Sequence, residues 1–109
     1  MGRKVWIDDV RPAPTDDYKW IKSVHEAKIY ICQMTRFNDA DNMYHNIELL
    51  DLDHDAGKYA WNGGDYIKLL DWMEERGIND IPIRIHSMNP VGYANMLRIC
   101  KRNSWEVID

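Results

Sequence analysis

Ile47-Glu48-Leu49-Leu50-Asp51-Leu52-Asp53-His54-Asp55 decides the reading of this chain. An apolar run of strand length ends abruptly in three consecutive polar, titratable residues. Such a run, bounded by a turn-rich segment, fits a strand buried in a parallel sheet. The glycine-containing loop from Ala56 to Gly64 follows, and Asp65 then opens a helix over Tyr66 to Arg76, stopped by Gly77. Working outward, Lys4 to Ile7 is a second apolar run that ends in acid, at Asp8-Asp9. Ile81 to Ile85 is a third, leading into His86-Ser87-Met88-Asn89-Pro90. Asn89 before Pro90 has the form of an N-cap followed by proline in the first turn, so a helix is expected to about Arg102.

Arg11 to Asp17 holds two prolines and cannot be helical. Tyr18 to Ile21 reads as a strand. Ser23 and Glu26 stand at capping-box spacing ahead of a helix over Val24 to Met34, whose stripe is Val24, Ala27, Ile31 and Met34. Thr35 to Asn46 is polar and reads as a loop with at most a short helical turn. Trp105 to Ile108 reads as a last strand. The order β-β-α-β-α-β-α-β implies one α/β domain over residues 1–109. Its sheet is expected to be mostly parallel and five-stranded, with helices on both faces and the first helix reduced or missing. The Asp9–Asp17 link is short for a parallel crossover. Either it crosses without a helix or the second strand pairs antiparallel at an edge.

The chain has 109 residues, a formal net charge of -4, and 45% hydrophobic and 29% charged residues. That size and mix suit one soluble domain. The acidic balance argues against tight binding of an extended duplex. It leaves room for a small phosphate ester, an RNA end or a divalent cation. Five Trp and six Tyr against one Phe imply that some rings are exposed. No secretory signal and no membrane-length apolar run is visible, so a cytoplasmic protein without a membrane contact is expected. Cys32 and Cys100 lack metal-binding spacing and are expected to be buried free thiols. His25 and His45 lie among polar residues and are expected at the surface. Tyr59 and Trp61 can either stack on a base or pack over the core edge.

Ligands of open parallel sheets bind beyond the carboxyl ends of the strands. Those ends carry Asp8 and Asp9, then Asp53, His54 and Asp55, then His86, Ser87 and Asn89. Clustered carboxylates stay ionised when a cation shares the site, and hard cations prefer such oxygens. Asp8, Asp9, Asp53 and Asp55 are therefore the candidate ligands for Mg²⁺ or Mn²⁺. His54 and His86 are candidate proton carriers. The helix starting at Pro90 aims free N–H groups at the same region, where Ser87 can bind an anion.

The segments Trp6-Ile7-Asp8-Asp9-Val10-Arg11-Pro12-Ala13-Pro14, Leu52-Asp53-His54-Asp55-Ala56-Gly57, Gly64-Asp65-Tyr66 and Ile85-His86-Ser87-Met88-Asn89-Pro90-Val91-Gly92 resemble the cyclic-phosphate processing receiver domains, from residue 4 to about 100. The resemblance implies a receiver-like (flavodoxin-like) fold and a role in hydrolysing or binding cyclic phosphates. It suggests a metal-dependent phosphoesterase acting on a cyclic nucleotide or a 2′,3′-cyclic RNA end. Asp53, His54, His86 and Ser87 would be catalytic, and Arg11, Ser87 and Asn89 would hold phosphate oxygens. Two alternatives stand beside it: a module that binds without turnover, and a phosphoacceptor receiver. Against the last, a receiver's lysine after the fifth strand has no counterpart in this sequence.

Overall fold

The first two strands sit side by side and run parallel, although no helix joins them. In the computed structural model, which describes residues 2–109, β1 (Arg3–Ile7) pairs with β2 (Tyr18–Ile21) in parallel register, Ile7 opposite Ile21. The tight crossover without a helix is therefore the solution adopted. Pro12 and Pro14 stiffen the link, and it folds back onto the sheet: the Trp6 indole N–H donates to the Arg11 carbonyl at 2.8 Å, and Lys4 pairs with Asp17. Met1, the first residue of the expected domain, lies outside the described residues.

The chain continues through α1 (Val24–Gln33), β3 (Thr35–Phe37), β4 (Met43–His45), β5 (Ile47–Leu52), α2 (Ile67–Arg76), β6 (Ile83–Ile85) and α3 (Pro90–Arg102). The main sheet has the order β2-β1-β5-β6, all parallel. This is the flavodoxin-like order, with its reversal between β1 and β5. Four strands replace the five expected. Trp105 to Ile108 contributes only one parallel bridge, Val107 to Ile83, made by two backbone hydrogen bonds, so the fifth place is filled by a one-residue bridge.

The helices occupy one face, which corrects the expectation of two. Each helical crossover, from β2 to β5, from β5 to β6 and from β6 toward Val107, moves in the same direction across the sheet. Right-handed connections then stack all three helices on one side. Only the step from β1 to β2 runs the other way, and that step has no helix. The core shows the same division. Val5, Ile7, Ile21, Leu50, Leu52, Ile83 and Ile85 form one cluster with Val24, Ala27, Ile31, Leu69, Leu70, Met73, Met96 and Ile99. The alternate strand positions Lys4, Trp6, Trp20, Asp51 and Arg84 point away from it; Trp20, Trp6, Asp51 and Arg84 are successive register partners in one row.

Local signals explain the helix ends. The Ser23 hydroxyl accepts from Glu26 N–H and starts α1. Gly77 closes α2 at φ 67°, where a side chain would be strained. Asn89 caps α3 by accepting from Gly92 N–H. Thr35 to Asn46 is not a loop. It holds an antiparallel hairpin, β3 with β4, turned by Asn38, whose side-chain oxygen accepts from Ala40 and Asn42 N–H groups. Its polar composition hid it. His45 is also not a surface group: it is buried, and its backbone N–H and ring Nδ1 both meet the Asp80 carboxylate. Cys100 is buried as expected, and burial pushes its thiol up to about 11. Cys32 is exposed, because it lies off the apolar stripe of α1.

Candidate functional site

The carboxyl end of β1 turns sharply on Asp8. This carboxylate is fully buried, and its Oδ1 accepts from the backbone N–H groups of Val10 (3.0 Å) and Arg11 (2.8 Å), an Asx-type turn. Its Oδ2 meets Arg11 Nε at 3.1 Å and His86 Nε2 at 3.0 Å. Burial opposes the charge of Asp8. The two backbone donors, His86 and the Arg11 guanidinium outweigh it and hold the carboxyl below its ordinary value.

Asp53 arrives at the same place from β5, whose end is fixed by the bond from Asp53 N–H to the Ile7 carbonyl. Its Oδ1 accepts from His54 N–H at 2.8 Å, and its Oδ2 from Arg11 Nη2 at 3.2 Å. The same Arg11 nitrogen donates to the His86 carbonyl at 3.2 Å. One guanidinium thus joins the ends of β1, β5 and β6, at the point where the strand order reverses.

His86 is held on three sides. Its ring stacks on Trp6 with centroids 3.8 Å apart and planes 2° from parallel. Its Nδ1 lies 2.7 Å from Asp51 Oδ1 and its Nε2 faces Asp8. Both ring nitrogens are thus engaged by carboxylate oxygens. Asp51 is fully buried and its Oδ2 has no hydrogen-bond partner among the described residues; Arg84 Nη1 lies 3.6 Å from it.

Asp8, Asp53 and His86 each offer a ligand atom within 4.8 Å of the other two. The two carboxylates suit a hard divalent cation. Arg11 now bridges them, so an ion seated there would displace its guanidinium. Asp9 and Asp55 do not belong to this group. The Asp9 carboxylate lies against Gly57, at φ 54°, where a Cβ would collide with it. Asp55 falls instead with His54 and Asp65 in a second group. Its Oδ1 sits 2.7 Å from His54 Nδ1.

The His54 ring lies across the first turn of α3. A Cβ on Gly92 would come within 2.5 Å of its Cγ, so glycine there makes room for the imidazole. The Ser87 hydroxyl accepts from Asn89 N–H at 3.0 Å, which leaves its own hydrogen to donate. Asn89 spends its side-chain oxygen on the Gly92 cap. Tyr66 closes the rear wall: its hydroxyl donates to the Lys22 carbonyl at 2.7 Å. Burial, then the charges of Asp9, Asp8 and Asp53, push the phenol far up.

The structure therefore brings Asp8, Arg11, Asp53 and His86 into direct contact, with His54 bonded to Asp53 through its backbone. Reading the sequence missed Asp51, Trp6 and Trp20. Asp51 sits inside the apolar run at an alternate position, and period-two counting would have set it on the face opposite Leu50 and Leu52. The Trp20 indole N–H donates to the Asp8 carbonyl at 2.8 Å. Of the two loop aromatics, Tyr59 packs against the core and Trp61 is 80% exposed. Among the described residues no helix is long and apolar enough to cross a membrane.

Comparison with curated proteins and with solved structures gives no match. The family model for the cyclic-phosphate processing receiver domain matches residues 3–102, nearly the whole chain, including every residue of the cluster just described. The match spans the whole parallel sheet, the acidic strand ends and the His86-Ser87 segment: this chain belongs to the cyclic-phosphate processing receiver domain family.

Proposed function

We propose that the cluster at the β1, β5 and β6 ends binds a cyclic phosphate and hydrolyses it with the help of a divalent cation. The observation that carries this reading is Arg11: a partly exposed guanidinium held between Asp8 and Asp53, at a strand-order reversal, with the His54 backbone N–H bonded to Asp53. Asp8 and Asp53 would hold Mg²⁺ or Mn²⁺. Such an ion neutralises phosphate charge and lowers the pKa of bound water.

The chain's own groups divide the remaining work. Arg11, released from one carboxylate, meets a phosphate oxygen with a paired N–H face. Ser87 donates its free hydroxyl hydrogen to another. His54 is the better proton carrier, because Asp55 holds only its Nδ1 and leaves Nε2 for exchange. His86 has both nitrogens engaged and serves to hold Asp8. Water adds to phosphorus, one ester P–O bond breaks, and the departing sugar oxygen takes a proton. The ligand would be a cyclic nucleotide or a 2′,3′-cyclic RNA end.

A screen of 2′,3′- and 3′,5′-cyclic nucleotides with Mg²⁺, Mn²⁺ or chelator tests this. Arg11→Ala and His54→Ala should each lose about 100-fold in rate. Folded variants that turn over as fast as the parent would sink the proposal. The second reading is binding without turnover, favoured by the saturated hydrogen bonding of His86 and by Arg11 already neutralising the carboxylates. Calorimetric binding with no product over hours would establish it. A phosphoacceptor role is less well supported, since both Asp53 oxygens are engaged, by His54 N–H and Arg11. A phosphoaspartate at Asp53 after acetyl phosphate treatment would favour that role.

A further inference from the structure

The β3–β4 hairpin is an arm that leaves the body. It is outside the main sheet, and a two-stranded hairpin alone is marginal in water. Its base is fixed by His45 on Asp80 and by the bond from Asn46 N–H to the Met34 carbonyl. Paired residues of antiparallel strands share a face, and faces alternate along the strand. Thr35 and His45 therefore share a face with Phe37 and Met43. At the base that face is buried through His45; farther out, Phe37 and Met43 are 67% and 58% exposed. Asp39 and Asp41 at the tip are exposed and make no ion pair among the described residues.

Next to the base of the arm lies a cleft of about 460 Å³ between α1 and α2. Ile29 and Trp72 give it apolar walls, and Lys28 and Arg76 its charge. Lys28 and Arg76 lie over the Trp72 ring at 5.9 and 5.2 Å, and neither pairs with a carboxylate among the described residues. The cleft and the arm are thus complementary: apolar with unpaired cations, and apolar with unpaired carboxylates. They are also contiguous, because Gln33, at the end of α1, lines the cleft and the arm begins two residues later.

We propose that two copies of this chain clasp each other, each laying its Phe37–Met43 arm into the α1–α2 cleft of the other. A patch that carries both halves of a complementary pair closes as a two-fold dimer. α1 runs back against the strands, so its end and the arm lie at the amino edge of the sheet. The Asp8–Asp53–His86 end stays open in the dimer, and the inference does not depend on the reaction proposed above.

Sedimentation of the full chain over a concentration series tests it. The parent should show a monomer–dimer equilibrium that weakens with salt. Phe37→Asp should weaken association by about tenfold or more. The double variant K28E/R76E has an acidic cleft, and D39K/D41K a basic arm; each alone should be monomeric, because like charges then face each other. Mixed together, every arm meets an opposite cleft, and a heterodimer should return. A parent that is monomeric throughout, a Phe37→Asp protein as dimeric as the parent, or a mixture that stays monomeric would each overturn the proposal.

Discussion

The two faces of the sheet do different work. Toward the helices, Leu50 and Leu52 of β5 are fully buried in a cluster of aliphatic side chains. Toward the helix-free face, Asp51 of the same strand is just as buried, yet it holds a histidine and has an oxygen without a hydrogen-bond partner among the described residues. One face supplies stability by apolar burial. The other supplies the support for the site, at the expense of stability, since a buried carboxylate must be matched by hydrogen bonds. The difference teaches that the candidate site of this domain is built from behind, by the Trp6–Asp51 row, as well as from the loops above it.

The contrast can be broken in order of expected effect. Leu50→Ala should cost about 3 kcal/mol in chemical denaturation, within the usual range for a fully buried leucine. Asp51→Ala should cost about 2 kcal/mol, the loss of a buried partner for His86. It should also loosen the His86 ring, seen as a shift of its NMR signals, whereas Leu50→Ala should leave those signals near their places. If Asp51→Ala cost nothing and moved nothing, the support role of that face would be wrong. Asn89→Ala removes the α3 cap and should cost about 1 kcal/mol.

The smallest effect belongs to an exposed pair on the helical side. Arg102 holds Glu74 by two hydrogen bonds and, with Asn103, pulls its carboxyl down to about 2. A depressed carboxyl stabilises the fold above its ordinary value near 4.5 and loses that contribution as pH falls toward the folded value. Glu74→Gln should therefore show a small deficit at neutral pH that disappears in acid. A deficit that grew in acid would contradict the pairing.

Much of this was legible from residue order. Three apolar runs ending in acid or histidine are enough to bring Asp8, Asp53 and His86 together, because parallel strands deliver their last residues to one edge. The caps at Ser23, Asn89 and Gly77 were equally readable, being local chemistry. Asp51 was not, since a run with one polar position reads as buried on both sides until its neighbours across the sheet are known. The hairpin escaped because Thr35 to Asn46 lacks apolar alternation, its pairing being driven by the Asn38 turn and the His45–Asp80 anchor. His45 was misread for the same reason: its partner lies 35 positions away. The one-sided helical layer was implicit in the missing first helix, but only the direction of each crossover reveals it.

The direct link between β1 and β2 also bears on how the chain finds its shape. Ile7 faces Ile21 on one side and Leu52 on the other, loops of about 14 and 45 residues, and closing the longer one costs roughly 1 kcal/mol more in chain entropy. Parallel pairing is ordinarily a late, long-range event. Here its first rung is within short reach, so the β1–β2 ribbon has the means to form early and act as the template on which the distant β5 strand docks.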